Sequence, residues 1–306
     1  MSRRPRPDPA TMPESVFRCG EVAIVGRPNV GKSTLINAMV GARISITSRK
    51  AQTTRHRLLG ILTTAQAQFL FVDTPGFQTE HPSVLNERMN RTVRSSLTDV
   101  DAVIWVLEAG RLGAADRAVL ALIPLELPVI TAVNKVDRLS DRARVLPFIA
   151  ELSLLREFAA IVPISAEKGW QLDTLLAEVG KRLPIGEAVH PEDELTDRDE
   201  RFLAAEYIRE KIFRLLGQEV PYQTSVAIDS FEHKAGLRSI HATIYVDKTS
   251  QRAMLLGANG ERMKSIAASA RRDMEQLFGG KVFLEVWVKV KSGWATDERM
   301  LNQFGY

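Results

Sequence analysis

Gly26-Arg-Pro-Asn-Val-Gly-Lys-Ser33 is the stretch on which the reading of this chain turns. It matches the pattern G-x-x-x-x-G-K-[S/T] in full, and its flanks supply the context that the pattern needs. Ahead of it the apolar run Val22-Ala-Ile-Val25 reads as a buried strand. Behind it Ser33-Thr-Leu-Ile-Asn-Ala-Met-Val40 reads as a helix. In such a strand–loop–helix, Gly26 and Gly31 let the loop wrap with its backbone N–H groups pointing inward at a phosphate. Arg27, Pro28, Asn29 and Val30 complete the cradle. Lys32 reaches the terminal phosphate oxygens as a point charge, the Ser33 hydroxyl is placed to ligate Mg²⁺, and Thr34 follows at the helix start. The bland alternative is a chance match to a loose pattern, and the flanking strand and helix weigh against it.

Three shorter signatures follow in a fixed order. Asp73-Thr-Pro-Gly76 ends the strand-like run Phe69-Leu-Phe-Val72. A carboxylate at a strand end can hold Mg²⁺ through water, and Gly76 can swing its N–H toward a γ-phosphate, so Thr74 and Pro75 lie in a segment able to sense hydrolysis. Read alone, D-T-P-G is an ordinary turn. Asn134-Lys-Val-Asp137 follows the buried run Pro128-Val-Ile-Thr-Ala-Val133. The Asp137 carboxylate can accept from both N1–H and the 2-amino group of guanine. Adenine offers no such pair of donors, which disfavours an ATPase. Ser165-Ala166, followed by Glu167 and preceded by Ile161-Val-Pro-Ile164, would support that loop against the guanine O6. The four signatures together specify GTP and GDP as ligands, with Mg²⁺.

This arrangement resembles the translation-factor-like class of P-loop GTPases. The segment Ile44-Ser-Ile-Thr-Ser-Arg-Lys-Ala-Gln-Thr-Thr-Arg-His-Arg57 is similar to switch I of the Era family of bacterial ribosome-assembly GTPases. The resemblance implies a switch I threonine that closes onto Mg²⁺ in the GTP state. Thr53 and Thr54 both qualify, and Thr54 is preferred because it directly precedes a basic residue, Arg55. For Arg49, Lys50, Arg55, His56 and Arg57 a solvated basic loop competes with any functional role. Many GTPases carry a glutamine after the D-x-x-G glycine to orient water, and this chain has Phe77 there. Hydrolysis must then lean on backbone groups such as Gly76, on Mg²⁺, Lys32 and Thr54, and on a monovalent cation or a partner. In resembling GTPases an asparagine at the position of Asn29 helps to hold K⁺; the alternative is that Asn29 only shapes the loop.

The totals set bounds. With 306 residues, 45% hydrophobic and 25% charged, the chain has room for two domains with proper cores. A lone cysteine, Cys19, leaves no internal disulfide framework and suits a reducing cytosol. No run approaches a membrane span, and the N-terminus lacks the apolar core of a signal peptide. The net charge of +4 is unevenly spread: residues 248–291 hold nine Lys and Arg against four acids, which points to a nucleic-acid surface there.

Along the chain, residues 1–17 read as a disordered basic arm, with Arg3, Arg4 and Arg6 set among prolines. Such an arm suits RNA, and equally an inert tail. Residues 18–184 alternate strand-like and helix-like segments, as in a mostly parallel sheet covered on both faces. Residues 185–198 are acidic, proline-marked and aperiodic, and read as a linker. From 199 to 306 comes a smaller α+β unit. Arg201–Leu216 is an amphipathic helix closed by Gly217, and the runs Thr224–Phe231 and Ile240–Val246 form a hairpin about Lys234-Ala-Gly-Leu237. A helix then leads into Gly257-Ala-Asn-Gly260, a helix from Glu261 to about Phe278, and the strand Val282–Val290. That order is the order of a type II KH domain, whose G-x-x-G turn brings backbone close to single-stranded RNA. Candidate RNA contacts are Arg252, Gly257, Ala258, Asn259, Gly260, Arg262, Lys264, Arg271 and Arg272. Era-type loops often carry a lysine where this chain has Ala258, so Arg262 and Lys264 are left to meet phosphate. Trp294 reads as a packed aromatic, with base stacking as the alternative.

The expected architecture is therefore α/β: a P-loop GTPase domain followed by a smaller α+β type II KH domain. The family implies a GTP-hydrolysing switch that binds the 3′ region of 16S ribosomal RNA and assists maturation of the 30S subunit. It also implies loose association at the inner membrane, beside the cytoplasmic location that the lone cysteine suits; nothing in the sequence suggests an obligate oligomer, so a monomer is expected. Two rivals stand beside this: an RNA binder with a spent nucleotide domain, which the intact Lys32, Ser33, Asp73 and Asp137 oppose, and a GTPase of division or membrane machinery using the KH-like unit to bind protein.

Overall fold

The computed structural model describes residues 16–48, 50, 53–77, 84–216 and 220–304. The basic arm expected over residues 1–17 lies outside these except for Val16 and Phe17, as do Arg49 and Gly217. Apolar strands with covered faces build the first layer. They are β1 (Arg18–Val25), β2 (Leu58–Thr63), β3 (Ala67–Asp73), β4 (Ala102–Glu108), β5 (Val129–Asn134) and β6 (Ala160–Pro163), in the order β2-β3-β1-β4-β5-β6. Every pair is parallel except β2 with β3. Near-continuous apolar runs such as Ala102–Leu107, all buried, are what a sheet covered on both faces requires. Helices α1 (Lys32–Val40), α2 (Val84–Ser95), α3 (Ala114–Leu120), α4 (Val145–Ser153) and α5 (Leu172–Gly180) cover the two faces. Because the parallel strands share one direction, the loops after β1, β3, β4, β5 and β6 emerge along one edge, where ligands of such sheets bind.

Residues 185–198 carry no helix or strand, as their composition implies, yet they are not a free linker. Single antiparallel bridges join Arg18 to Ile185 and Gly60 to Thr196. The buried Gln68 side chain accepts from the N–H groups of Val189 and His190 at 2.8 and 3.0 Å and donates to the His190 carbonyl at 2.8 Å. Ile61 N–H donates to Leu195 O, and Leu59 N–H to the Asp197 carboxylate, each at 2.9 Å. The reason is physical. β2 is an edge strand, and its open N–H groups need partners. The segment supplies them and becomes a strap.

The second layer begins at α6 (Glu200–Leu215), whose N-cap Asp199 accepts from Phe202 N–H at 2.7 Å. Then come β7 (Thr224–Lys234), β8 (Leu237–Val246), α7 (Thr249–Leu256), α8 (Glu261–Phe278), β9 (Lys281–Val290) and α9 (Glu298–Gln303). The sheet order is β7-β8-β9, with β7 and β8 antiparallel and β8 and β9 parallel. Ala235 and Gly236 turn the hairpin with φ of 51° and 77°, the doubly left-handed turn that matches strand twist. Ile208 and Ile212 of α6 pack with Ile240 and Ile244 of β8 and Ile266 and Met274 of α8.

The two layers meet away from these cores as well. Trp294 is fully buried, in one cluster with Leu301 and with Leu85 and Met89 of α2. Its Nε1–H donates to Gln223 O at 3.1 Å and its ring meets Phe304 edge-on at 5.5 Å. It is a packed aromatic, and no face is left for a base. Trp294→Ala should lower unfolding stability by about 3–5 kcal/mol, read as a fall in denaturation midpoint.

Candidate functional site

The loop after β1 makes a cavity of about 410 Å³, lined by P-loop residues from Arg27 to Thr34 except Val30, together with Thr47, Thr54, Gly76, Glu108, Lys135 and Arg138. Gly31 holds φ of 103°, and a Cβ there would stand 2.4 Å from Asn134 Nδ2. Only glycine fits on both counts. Asn29 is also left-handed, at φ 65°, a region that asparagine tolerates better than most residues. Asn29 thus shapes the loop through its backbone, and its exposed side chain lines the cavity. The Lys32 ammonium donates to Gly26 O at 2.9 Å and to Arg27 O at 3.2 Å, so it is aimed into the cradle. Burial lowers its pKa to about 8 against the opposing pull of Asp73. The Val30 side chain is core, and its carbonyl accepts from Asn134.

Oxygen donors gather beside Lys32. Ser33 Oγ lies 2.9 Å from Thr54 Oγ1 and 3.4 Å from Asp73 Oδ2. Thr53 Oγ1 is turned onto Lys50 O at 2.7 Å, so Thr54 is the member of the pair that faces this set. Asp73 Oδ1 is buried and makes no hydrogen bond among the described residues. An all-oxygen set with one orphaned carboxylate oxygen suits a hard cation such as Mg²⁺. Burial raises the Asp73 pKa to about 6, with Ser45 and Lys32 pulling the other way. Thr74, in contrast, spends its hydroxyl on Ile24 O at 2.8 Å and serves as a brace. Gly76 rests against Pro28, leaving 3.0 Å for any Cβ. Phe77 is buried in the apolar cluster with Leu59 and Val93, facing away from the cavity.

Asn134 joins the loops. Its Nδ2 donates to Val30 O at 2.8 Å, and its Oδ1 accepts from Lys135 N–H at 2.8 Å and Ala166 N–H at 3.0 Å. Lys135 Nζ donates to Asn29 O at 2.7 Å. Asp137 Oδ1 is buried and unpartnered among the described residues, a carboxylate oxygen ready for donors. Ser165 Oγ caps its own turn by accepting from Lys168 N–H at 3.2 Å, and Glu167 pairs with Arg138 at 2.8 Å.

At the other end of the chain, Gly257 closes α7 with φ of 68°, and a Cβ there would press to 2.9 Å on Arg262 Cβ. Asn259 and Gly260 are left-handed too, at 50° and 75°, so the turn stands out from the helices with Ala258 and Asn259 exposed. Arg252, Lys264 and Arg272 are exposed around it. Arg262 instead folds back onto Met254 O, and Arg271 pairs with Glu275 at 3.1 Å.

Family models match in the same two places: a 50S ribosome-binding GTPase over residues 21–135 and a KH domain over residues 219–295. The chain is 54% identical to GTPase Era of Nitrosomonas eutropha over 295 residues, 96% of this chain and 100% of that one. The chain belongs to the Era family of GTPases. GTPase Era of Chromobacterium violaceum is also 54% identical, over 96% of this chain and 99% of its own. Among solved structures, an Aquifex aeolicus Era variant bound to GDP·AlF₄⁻ superposes with TM-score 0.91 at 38% identity, covering 95% of this chain and 99% of that one. An Era complex with MgGDPNP and nucleotides 1506–1542 of 16S ribosomal RNA gives 0.90 at 38% identity and the same coverage. No helix among the described residues is long and apolar enough to cross a membrane.

Sequence reasoning missed several residues that shape this Era-family site. Ser45 donates to Asp73 Oδ2 at 2.6 Å, and Asn37 holds the Ser45 backbone in place. Glu108 receives both Lys135 at 3.1 Å and Arg27 at 3.2 Å. Partial burial pushes its pKa up, but those two cations outweigh that and hold it below the usual value. None belongs to a signature; Glu108 offered one signal, its place at the end of a buried strand.

Asp73 sets a pH dependence. With Asp73 holding Mg²⁺, metal and proton would compete for one carboxylate, and Mg²⁺ affinity should then be flat well above pH 6 and fall about tenfold per unit below it. Mg²⁺ titrations of nucleotide binding between pH 5 and 8 would show it. Asp73→Asn should bind Mg²⁺ more weakly and keep only the titration of the phosphate itself.

Proposed function

We propose that this chain is a GTP-timed factor whose KH layer binds the 3′ region of 16S ribosomal RNA and assists maturation of the 30S subunit. The cavity takes GTP or GDP. Backbone N–H groups between Gly26 and Thr34, Pro28 excepted because it has none, and the Lys32 ammonium bind the phosphates, Asp137 reads guanine, and Asn134, Ser165 and Ala166 hold the guanine loop. Ser33, Thr54 and Asp73 would hold Mg²⁺, which when bound supplies charge to neutralise the phosphates. With Phe77 turned into the core, Gly76 N–H and the Thr54 main chain are the groups left to orient water. The Asn29 amide oxygen is a fitting donor to K⁺ at the open rim of the cavity. The protein would act as a monomer in the cytoplasm, with loose contact at the inner membrane.

One observation carries the coupling of nucleotide to RNA: switch I is hydrogen-bonded to the first helix of the KH layer. Thr47 N–H donates to Glu210 at 2.9 Å, and Glu210, fully buried on α6, also receives Arg214 at 2.9 Å and Arg43. Arg43 and Lys211 both reach Asp273 on α8. A loop that moves with the γ-phosphate therefore pulls on the helices that carry the G-x-x-G turn. The 16S complex of a relative at 38% identity supports the choice of RNA.

GTP turnover should be measured in KCl and NaCl, with and without an RNA oligomer ending in the mature 16S 3′ sequence. RNA should change turnover, and the change should vanish when Gly257 and Gly260 are both replaced by Asp. Higher rates in KCl that Asn29→Ala removes would place the cation at Asn29. RNA binding with unaltered turnover would sever the proposed coupling.

A further inference from the structure

Thr54 is gripped from both sides by the second half of the chain. Before it, the carbonyl of Thr53 accepts from the guanidinium of Arg209 on α6. After it, the Arg55 guanidinium donates to Thr224 O and Tyr222 O, each at 3.0 Å, where the chain enters β7. Both guanidinium groups stand over one ring, that of the fully buried Phe213, at 5.3 Å for Arg209 and 5.7 Å for Arg55. Arg209 is itself locked: it is 2% exposed and donates to both oxygens of Glu206, at 2.8 and 2.5 Å.

A flexible loop that must place one hydroxyl on a metal loses conformational freedom when it does so. Contacts that fix its neighbours in advance reduce that loss and hold the productive geometry. Here the flanking contacts fall on the residues immediately before and after Thr54, and all of them come from α6 and the start of β7. Other contacts run along the loop at Thr47 and Lys50, and at Thr54 the residues on both sides are held. Arg209 is also suited to the task. Its planar fork serves a carboxylate and a carbonyl at once while stacking on an aromatic face, which an ammonium cannot do.

We propose that Arg209 and Phe213, both in the RNA-binding half, are positioning residues for GTP hydrolysis: they set Thr54 against Ser33, so the KH layer completes the catalytic loop of the nucleotide layer. This rests on the reading of Thr54 as the switch I ligand. The coupling is reciprocal. Whatever displaces α6 relaxes Thr54, and whatever holds Thr54 steadies α6.

The test uses the full-length chain and follows turnover against both GTP and Mg²⁺, with GDP affinity and thermal unfolding alongside. Arg209→Ala should lower kcat roughly tenfold to a hundredfold, as expected for a misplaced group. The Mg²⁺ concentration for half-maximal turnover should rise with it, while GDP affinity stays within about twofold. Arg209→Lys, which keeps a donor for the Thr53 carbonyl, should recover part of the rate. The double variant Glu206→Gln with Arg209→Gln leaves no lone buried carboxylate and should show the same pattern even where Arg209→Ala fails to fold. Folded variants with unchanged kcat and Mg²⁺ dependence would overturn the proposal, as would an equal loss of GDP and GTP binding. Thr54→Ala separates the two readings. If it abolishes turnover while the Arg209 variants stay active, the positioning role falls and Thr54 stands. If Thr54→Ala itself stays active, the Thr54 reading falls and the positioning role falls with it.

Discussion

One carboxamide keeps the nucleotide site in a single piece. Asn134 spends its N–H on the P-loop at Val30 and its oxygen on Lys135 and Ala166, so three loops from three different strands share one buried group. Each loop alone is a short excursion from a strand end with few contacts of its own. Joined, they inherit the rigidity of the sheet. The close fit of Gly31 follows from the same group, since any side chain there would strike the Asn134 amide. A buried amide also costs stability if a partner is lost. The arrangement is thus enforced from both directions.

Switch I, Ile44 to Arg57, lies beside that frame, and among its described residues some side chains face the cavity and others the second layer. Ser45 and Thr54 face Asp73 and Ser33, whereas Arg43, Lys50 and Arg55 turn to the KH layer. The basic character of this loop, ambiguous from composition, has a plain use. Lys50 and Arg55 meet carbonyls of the second layer while Arg57 meets Glu21 of β1, and a solvated surface is the wrong description for the buried Arg55.

What could be seen in the chain beforehand follows from distance along it. The P-loop, D-T-P-G and N-K-V-D are contiguous, and local geometry decides what a short loop between strand and helix can do. The KH order was legible because hydrophobic periods of two and of three to four residues alternate cleanly from Arg201 to Val290. Ser45, Glu108 and Arg209 were not legible. Each acquires its meaning from a partner far away, as Arg209 does from Thr53, 156 positions earlier. The acidic segment 185–198 misled for a related reason: composition reports that a stretch builds no core, yet says little about whether an edge strand nearby needs hydrogen bonds.

That strap has a mechanical consequence. The KH layer is held to the nucleotide layer at several places, among them the strap along β2, the α6 grip on switch I, the Trp294 cluster against α2, and Leu203 of α6, which packs in the nucleotide-layer core. Loosening switch I therefore does not set the KH layer adrift. The strap at Asp197, the Leu203 contact and the Trp294 cluster remain as tethers.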